Sequence, residues 1–294
     1  CVSPFNIRRS TRMTGQLIQQ TREDIEGMIA RDELILPTLP EIALKVRDIA
    51  EDENASIQDM ARALTKDPAL SARLLRVTNS PMVRTMVPIT DVTTAISRLG
   101  IDFTSNLVVG IAMEQMFQAT NDAIDRRMRA CWSHATEIAA SAQVLARHFT
   151  KLPPDQALLA GLVHQIGTLP LLSYAEQSGS LIHGGPSLDH AIAELHQELG
   201  QKVLQSWDFP PELIAVTTDY LNFERERDEP DLIDLIQVAT LQSYAGTNHP
   251  LANTDTSQVG AFVRLGLAAD TETLELDDIA TEQSETQAAL SSGF

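Results

Sequence analysis

Apolar residues recur at helical spacing along most of the chain. Ile42, Val46 and Ile49 occupy positions i, i+4 and i+7, which places them on one face of a helix. The same spacing runs through residues 131–149 and 192–204. No stretch alternates apolar and polar residues over the length of a β-strand. The sequence therefore predicts an all-α fold, in which each helix buries one apolar stripe against its neighbours.

Local signals indicate where several helices begin and end. Ser56 precedes an apolar stripe and Asp59 follows three residues later, a spacing typical of a capping box. Asp67 stands directly before Pro68, which suits the first position of a helix because that position needs no amide donor. Gly100 follows another stripe and is predicted to end its helix. These signals predict short, capped helices in the first part of the chain.

A chain of 294 residues exceeds the usual size of one domain, and we divide it into four parts. Residues 1–33 form an N-terminal extension with one predicted helix at 16–30, which docks on the body or mediates dimerisation. Residues 34–120 form an N-terminal helical subdomain, and residues 121–250 form a helical core. Residues 251–294 are predicted to be a C-terminal helix and an acidic, flexible tail.

The charge balance argues against nucleic acid as a direct ligand. The chain has 40 acidic and 22 basic side chains, for a formal net charge of −18, and a surface of that sign repels phosphate backbones. Aromatic residues make up 4%, so platforms for base stacking are few. Arg8, Arg9 and Arg12 form a local basic run, which we interpret as part of a solvated tail. The acidic surface instead favours partner proteins with basic faces.

Cysteine usage and hydropathy indicate the compartment. Cys1 and Cys131 are not in a CxxC pair, so neither a disulfide framework nor a thiolate zinc site is predicted, and a reducing cytoplasm fits. No run of roughly eighteen apolar residues is present, and residues 1–16 contain arginines without a following apolar segment. We therefore expect a cytoplasmic protein with neither a membrane span nor a secretory signal.

Three histidines are the candidate metal ligands. His134, His164 and His196 each belong to a different predicted helix, and facing helices can bring such side chains together. Neutral imidazole binds zinc, iron and manganese, but hydrolysis also needs carboxylates, which hold hard cations such as magnesium and accept protons. No carboxylate stands next to any of them, and the residue after His164 is Gln165. The alternative is three buried core histidines with no metal, and no other cofactor is expected.

A cysteine near the first of these histidines offers a second chemistry. Cys131 and His134 lie three residues apart and can touch on one helix face, as a thiol nucleophile and its base would. Cys131 also lies on the apolar stripe, which favours an inert core cysteine. Neither a glycine-rich phosphate loop nor a GxSxG elbow occurs in the sequence.

Six segments, in order, resemble the HDOD family, a branch of the HD-domain superfamily. The resemblance implies an all-α fold with an HD-like core at 121–250. It also implies a role in bacterial signalling, beside cyclic-dinucleotide or two-component modules, with no established enzymatic activity of the family's own. The segments are LPTLPEIALKV (36–46), TKDPALSARLLRVTNS (65–80), PITDVTTAISRLG (88–100), CWSHATEIAASAQVLA (131–146), DQALLAGLVHQIGTLPLL (155–172) and HQELGQKVLQSWDFPPELIAV (196–216).

The chain departs from the pattern of catalytic HD proteins at each carboxylate position. The His-Asp pair of those proteins is His164-Gln165 here, and the lysine that follows their glycine is Thr168. By the same resemblance, their His-His pair falls at Tyr220-Leu221 and their final aspartate at Ala239-Thr240. The resemblance therefore implies a vestigial metal site at His134, His164 and His196.

Two functions remain open at this point. The first is a non-catalytic signal-transduction or regulatory protein that acts through protein–protein contacts and forms a homodimer or binds other signalling proteins. The second is a metal-dependent phosphohydrolase acting on a nucleotide or cyclic dinucleotide. It requires a carboxylate close to His164, for which the candidates are Glu137, Asp189, Glu194 and Glu198.

Overall fold

The computed structural model describes residues 18–31, 36–80, 88–179, 185–267 and 276–291. Within these ranges the backbone consists of helices, turns and short connections without strands, which confirms the all-α prediction. The helices are α1 (18–30), α2 (Glu41–Glu51), α3 (Ile57–Leu64), α4 (Pro68–Thr78), α5 (Val92–Leu99), α6 (Ile101–Met113), α7 (Asp122–Phe149), α8 (Pro154–Val163), α9 (Thr168–Ser178), α10 (Gly185–Ser206), α11 (Pro211–Asp219), α12 (Leu232–Tyr244), α13 (Gly260–Arg264) and α14 (Leu276–Ser291), with 3-10 turns at Glu114–Met116, Pro250–Asn253 and Thr256–Gln258.

The predicted helix boundaries in the first part of the chain are confirmed. The Ser56 hydroxyl accepts a hydrogen bond from the Asp59 amide at 3.3 Å, and the Asp59 carboxylate accepts one from the Ser56 amide at 2.9 Å. Asp67 caps α4, whose first residue is Pro68. Gly100 ends α5 with φ at 87°, a left-handed value that favours glycine. These ends form as predicted because each cap involves residues within four positions of one another.

Buried apolar side chains form one cluster that runs through both halves of the chain. Val46, Leu64 and Leu107 in the first half belong to the same cluster as Leu162 and Leu235 in the second. Burial of apolar surface on this scale is the main term that stabilises the fold. The division of the chain at residue 120 stays a prediction.

Helix α1 docks on the body, one of the two roles predicted for it. Ile25 is buried, and the guanidinium of Arg22 lies 3.2 Å from a carboxylate oxygen of Glu198 on α10. Lys202 on α10 donates to Glu26 at 2.9 Å. Two buried side chains, those of Thr21 and Ile25, and the flanking ion pairs to α10 therefore hold α1 against the body.

Residues 276–291 form helix α14, in the part of the chain for which the sequence predicts a C-terminal helix followed by an acidic, flexible tail. Within residues 280–291, where burial is described, the buried side chains of α14 are Glu282, Thr286, Ala289 and Leu290, a helical stripe that packs mainly on α7. Half of that stripe is polar, so hydropathy alone does not reveal it. The basic run Arg8, Arg9 and Arg12 lies outside the described residues.

The segment Pro154–Ser178, which comprises α8 and α9, is long and apolar enough to cross a membrane. In the fold, 89% of its most apolar window is buried inside the protein. Such burial is typical of the central helix of a globular core.

Candidate functional site

The structure brings the three predicted histidines together around a tyrosine. The rings of His134 on α7 and His164 at the end of α8 lie 5.7 Å apart. The ring of Tyr220, at the end of α11, lies 5.1 Å from that of His164 and 5.8 Å from that of His196 on α10. We call these four residues, together with Tyr244 of α12, the histidine–tyrosine cluster.

Two glycines place the segment that carries His164. A Cβ atom on Gly161 would overlap the backbone of Ala139 on α7. A Cβ atom on Gly167 would overlap the carbonyl oxygen of His196 and the backbone of Gly200 on α10. The absence of side chains at both positions therefore lets this segment lie directly against the two helices that supply the other histidines.

His164 is fully buried and has one free lone pair. Its Nδ1–H donates to the carbonyl of Gly161 at 2.6 Å, so Nε2 carries the lone pair. Nε2 is buried without a hydrogen-bond partner among the described residues. Burial, followed by the proximity of His134, lowers the pKa of His164 to about 3. The ring is therefore neutral at physiological pH.

His196 is held by hydrogen bonds at both ring nitrogens. Its Nδ1–H donates to the carbonyl of Ile192 at 2.6 Å, so its Nε2 accepts from the Tyr220 hydroxyl at 2.7 Å. Gln165 donates to the same hydroxyl at 3.3 Å. Burial raises the pKa of the Tyr220 phenol, which keeps it protonated and able to donate. Tyr220 thus occupies the lone pair through which His196 would bind a metal.

His134 faces a second tyrosine. Its Nε2 lies 3.3 Å from the Tyr244 hydroxyl, and its Nδ1 lies 3.7 Å from a carboxylate oxygen of Glu137. The ring of Tyr244 in turn stacks on that of His249, with centroids 3.7 Å apart and planes within 12°. Sequence reasoning assigned His249 to the surface and missed Tyr244, because helical spacing marks Tyr244 only as the end of an apolar helix.

This arrangement does not fit a divalent metal. A tetrahedral or octahedral ion needs several lone pairs that converge on one point. The Nε2 of His196 accepts from Tyr220, and that of His134 faces Tyr244, which leaves only Nε2 of His164 open. Among the residues that the structure describes, no group of three or more His, Cys, Asp and Glu side chains could hold a metal ion. Metal binding through His134, His164 and His196 stays a prediction.

Of the four candidate carboxylates, only that of Glu137 lies beside a cluster histidine, His134. Asp189 pairs with Arg127 at 2.5 Å, and Glu198 pairs with Arg22 and Lys202. Glu194 is exposed. Of these four, Glu137 is therefore the carboxylate that could serve as a general base near the cluster, and it contacts His134 rather than His164.

Cys131 is half-buried and packs against the apolar core, as its position on the apolar stripe predicts. Burial raises the pKa of its thiol to about 11, so the thiolate needed for nucleophilic attack is scarce at neutral pH.

A helical fold that gathers histidines from α7, the end of α8 and α10 into one cluster is that of an HD-like protein. The sequence pattern of the HDOD domain matches residues 36–222, and the chain belongs to the HDOD family.

Solved structures share the fold over nearly the whole chain. A protein of Shewanella amazonensis SB2B, provisionally named a metal-dependent phosphohydrolase, has a TM-score of 0.83 and 28% identity, with 94% of this chain and 99% of that chain covered. An HDOD domain protein of unknown function from Geobacter sulfurreducens has a TM-score of 0.66 and 19% identity, with 95% and 99% covered. A protein of Marinobacter aquaeolei VT8, provisionally named a signal transduction protein, has a TM-score of 0.64 and 22% identity, with 94% and 66% covered.

A sequence relative is much longer than this chain. A protein of Treponema pallidum (strain Nichols) is 25% identical over 208 residues, which cover 66% of this chain and 39% of that protein. The chain thus spans well under half of that relative.

The buried histidine makes stability depend on pH. Above the ordinary histidine pKa of 6.5, His164 is neutral in both the folded and the unfolded chain. As pH falls below 6.5, His164 becomes protonated in the unfolded chain, whereas in the folded chain it stays neutral until about pH 3. The free energy of unfolding therefore falls. From pH 7 to pH 5, His164 alone is expected to lower the free energy of unfolding by about 2 kcal/mol.

Urea unfolding at pH 7, 6 and 5 measures this loss. The control is His164→Asn, whose amide can also donate to the Gly161 carbonyl but does not titrate. Its stability should fall less steeply over this range, with the remaining slope due in part to His196, whose pKa is also lowered by burial. Equal slopes for both proteins would show that His164 does not resist protonation.

Proposed function

We propose that this protein is a non-catalytic signal-transduction or regulatory protein that acts by contacting other proteins. The observation that carries the proposal is the position of the Tyr220 phenol. It packs against His164 and His196 and donates a hydrogen bond to Nε2 of His196 at 2.7 Å. A protonated phenol in this position competes directly with a metal for the histidine lone pair. Without a metal, the cluster has no means to activate water for phosphoester hydrolysis.

The partners we propose are signalling proteins, such as cyclic-dinucleotide or two-component modules, in the cytoplasm. The net charge of −18 supports basic partner faces and disfavours direct contact with nucleic acid. A homodimer is compatible with the same surface. These partners follow from the charge of the chain and from its family membership.

The second candidate is a metal-dependent phosphohydrolase acting on a nucleotide or cyclic dinucleotide. Two observations favour it: the provisional name of the Shewanella amazonensis protein, and the buried, unpartnered Nε2 of His164. It requires Tyr220 to leave His196 and Glu137 to reach the metal. Each change breaks a contact present in this structure, so we rank this function second.

Metal content and phosphodiesterase activity separate the two functions. The tag-free chain is incubated with zinc or manganese, desalted and analysed by mass spectrometry beside His164→Ala. We expect far less than one equivalent of metal in either protein, because only one histidine lone pair is open. With manganese present, we expect hydrolysis of bis(p-nitrophenyl) phosphate and of a cyclic dinucleotide to be no faster than with His164→Ala.

Circular dichroism and the urea midpoint establish that each variant is folded before its metal is counted. Tyr220→Phe is the matched variant that removes only the hydroxyl, and it tests whether that group excludes the metal. Near-stoichiometric metal in the natural chain, lost in His164→Ala and accompanied by phosphodiester turnover, would replace the proposal with the phosphohydrolase.

A further inference from the structure

Helix α14 packs across the fold from outside the segment that matches the HDOD pattern. It contacts α7 along its length and α4 near its end. Among the side chains of residues 280–291, the part of α14 whose burial is described, the buried ones are Glu282, Thr286, Ala289 and Leu290, of which only the last two are apolar. The hydrophobic contribution of these side chains to docking is therefore small.

Basic side chains of α7 and α4 lie under α14. Arg73 of α4 also pairs with the buried carboxylate of Glu114, and the acidic Glu137 lies at the edge of the same surface. The side chain of Glu282 is 8% exposed, and its carboxylate pairs with the guanidinium of Arg147. A carboxylate oxygen also lies within hydrogen-bond distance, 3.0 Å, of Nε2 of His148. Arg73 on α4 donates to the carbonyl of Leu290, in the last turn of α14, at 3.0 Å. We call Arg73, Arg147 and His148 the basic face of α4 and α7. It complements both the buried carboxylate of α14 and the negative end of its helix dipole.

The remaining contacts are polar and incompletely satisfied. Ser141 and Gln283 are within hydrogen-bond distance at 3.2 Å, as are Thr136 and Ser291 at 3.0 Å. The hydroxyl of Thr286 is buried without a hydrogen-bond partner in the described ranges, which costs free energy. A cavity of about 240 Å³ lies between α7, α12 and α14, lined by polar side chains that include Glu137 and Gln287. A helix held mainly by polar contacts opens more readily than a core helix.

We infer that the basic face of α4 and α7 is a docking surface for an acidic amphipathic helix of a partner protein, and that α14 covers this surface until the partner displaces it. The contacts of α14 show which helix the surface accepts. Such a helix has a buried carboxylate like Glu282, followed one and two turns later by small or hydroxyl side chains like Thr286 and Ala289. The carbonyl groups of its last turn face Arg73. The inference extends the proposed interaction role. It does not depend on the histidine–tyrosine cluster, so either proposal can fail without the other.

Hydrogen exchange of the full-length chain tests whether α14 opens separately. Glu282→Gln keeps the shape of the side chain and removes its charge, which weakens two charge-assisted contacts. Amides of residues 283–291 are expected to exchange about tenfold faster in this variant. The matched control is Glu285→Gln, the same change on the exposed face of the same helix, which should leave the rate unchanged. Unchanged exchange in α8 shows that the variant remains folded.

A peptide of residues 276–291 then serves as the acidic amphipathic helix. Labelled with fluorescein, it should bind full-length Glu282→Gln about tenfold more tightly than the natural chain, whose own α14 competes more strongly. Adding Arg147→Gln to the protein should abolish the difference, whereas Glu282→Gln in the peptide should weaken its binding to both proteins.

Two results would overturn the inference. The first is exchange in α14 that matches that of α8 in the natural chain and in Glu282→Gln. The second is faster exchange in Glu282→Gln without binding of the peptide, which would leave α14 loose but its surface unable to accept an acidic helix.

Discussion

Replacement of Asp234 by alanine is expected to lower the free energy of unfolding by about 3–5 kcal/mol, because it leaves two buried guanidinium groups without their shared carboxylate. Asp234 on α12 is completely buried. Arg264 of α13 donates to both of its oxygens, at 2.7 and 2.8 Å, and Arg225 donates to one of them at 3.2 Å. The side chains of Arg225 and Arg264 are 8% and 10% exposed, so water replaces the lost partner only in part, although Arg225 keeps a second carboxylate, that of Asp231, at 2.5 Å.

Urea unfolding monitored by circular dichroism measures this change. Asp228→Ala is the matched control, since Asp228 is an exposed aspartate of the loop between α11 and α12. It should alter stability by about 0.5 kcal/mol at most. Asp234→Asn keeps one acceptor oxygen and should fall between the two. A loss below about 1 kcal/mol for Asp234→Ala would mean that the two arginines find other partners or water.

Gly167→Ala is expected to destabilise the fold by about 3 kcal/mol, although alanine is the better helix former. The backbone of Gly167 has φ at −66° and ψ at −6°, which alanine adopts without strain. The added methyl group would overlap the carbonyl of His196 and the backbone of Gly200, and backbone atoms cannot move aside by changing rotamer. The turn after α8 would have to separate from α10, which also carries His196.

Gly27→Ala tests the same chemical change without the overlap. A Cβ atom on Gly27 of α1 meets only the guanidinium of Arg31, 3.1 Å away, at the end of a flexible side chain. This variant should be neutral or stabilised by up to about 1 kcal/mol. If Gly167→Ala unfolds at the same urea concentration as the natural chain, the close approach between the α8–α9 turn and α10 does not exist in solution.

Tyr220 differs from the residue that catalytic relatives carry at its position, and its hydroxyl forms hydrogen bonds with His196 and Gln165. The resemblance placed this residue where catalytic relatives carry a His-His pair, but it did not predict the hydrogen bond to His196. The bond forms because α10 and α11 present Nε2 and the phenol at 2.7 Å, while Gln165 donates to the same oxygen. Tyr220 therefore stands where a catalytic relative has a histidine ligand, and its hydroxyl also occupies the lone pair of a second potential ligand, His196.

Helix α14 lies where the sequence predicts a C-terminal helix and a flexible tail, but composition does not show where the helix ends or what it packs against. Its segment is acidic and rich in Ser and Thr, which is typical of a flexible tail. Glu282 is nevertheless buried, because Arg147 and His148 on α7 meet its carboxylate. The partners are 135 and 134 residues away in the chain, a separation that no local pattern reports.

The sequence by itself determined the all-α class, the capped ends at Ser56, Asp67 and Gly100, and membership of the HDOD family, because these depend on local spacing and on ordered motifs. It also identified the three histidines that meet in one cluster. Only the tertiary structure decided three contacts. Tyr220 donates a hydrogen bond to Nε2 of His196, Asp234 forms ion pairs with two arginines, and α14 packs on the basic face of α4 and α7. Each of these depends on distances of a few ångströms between helices far apart in the chain, and such distances are set by packing rather than by neighbouring residues.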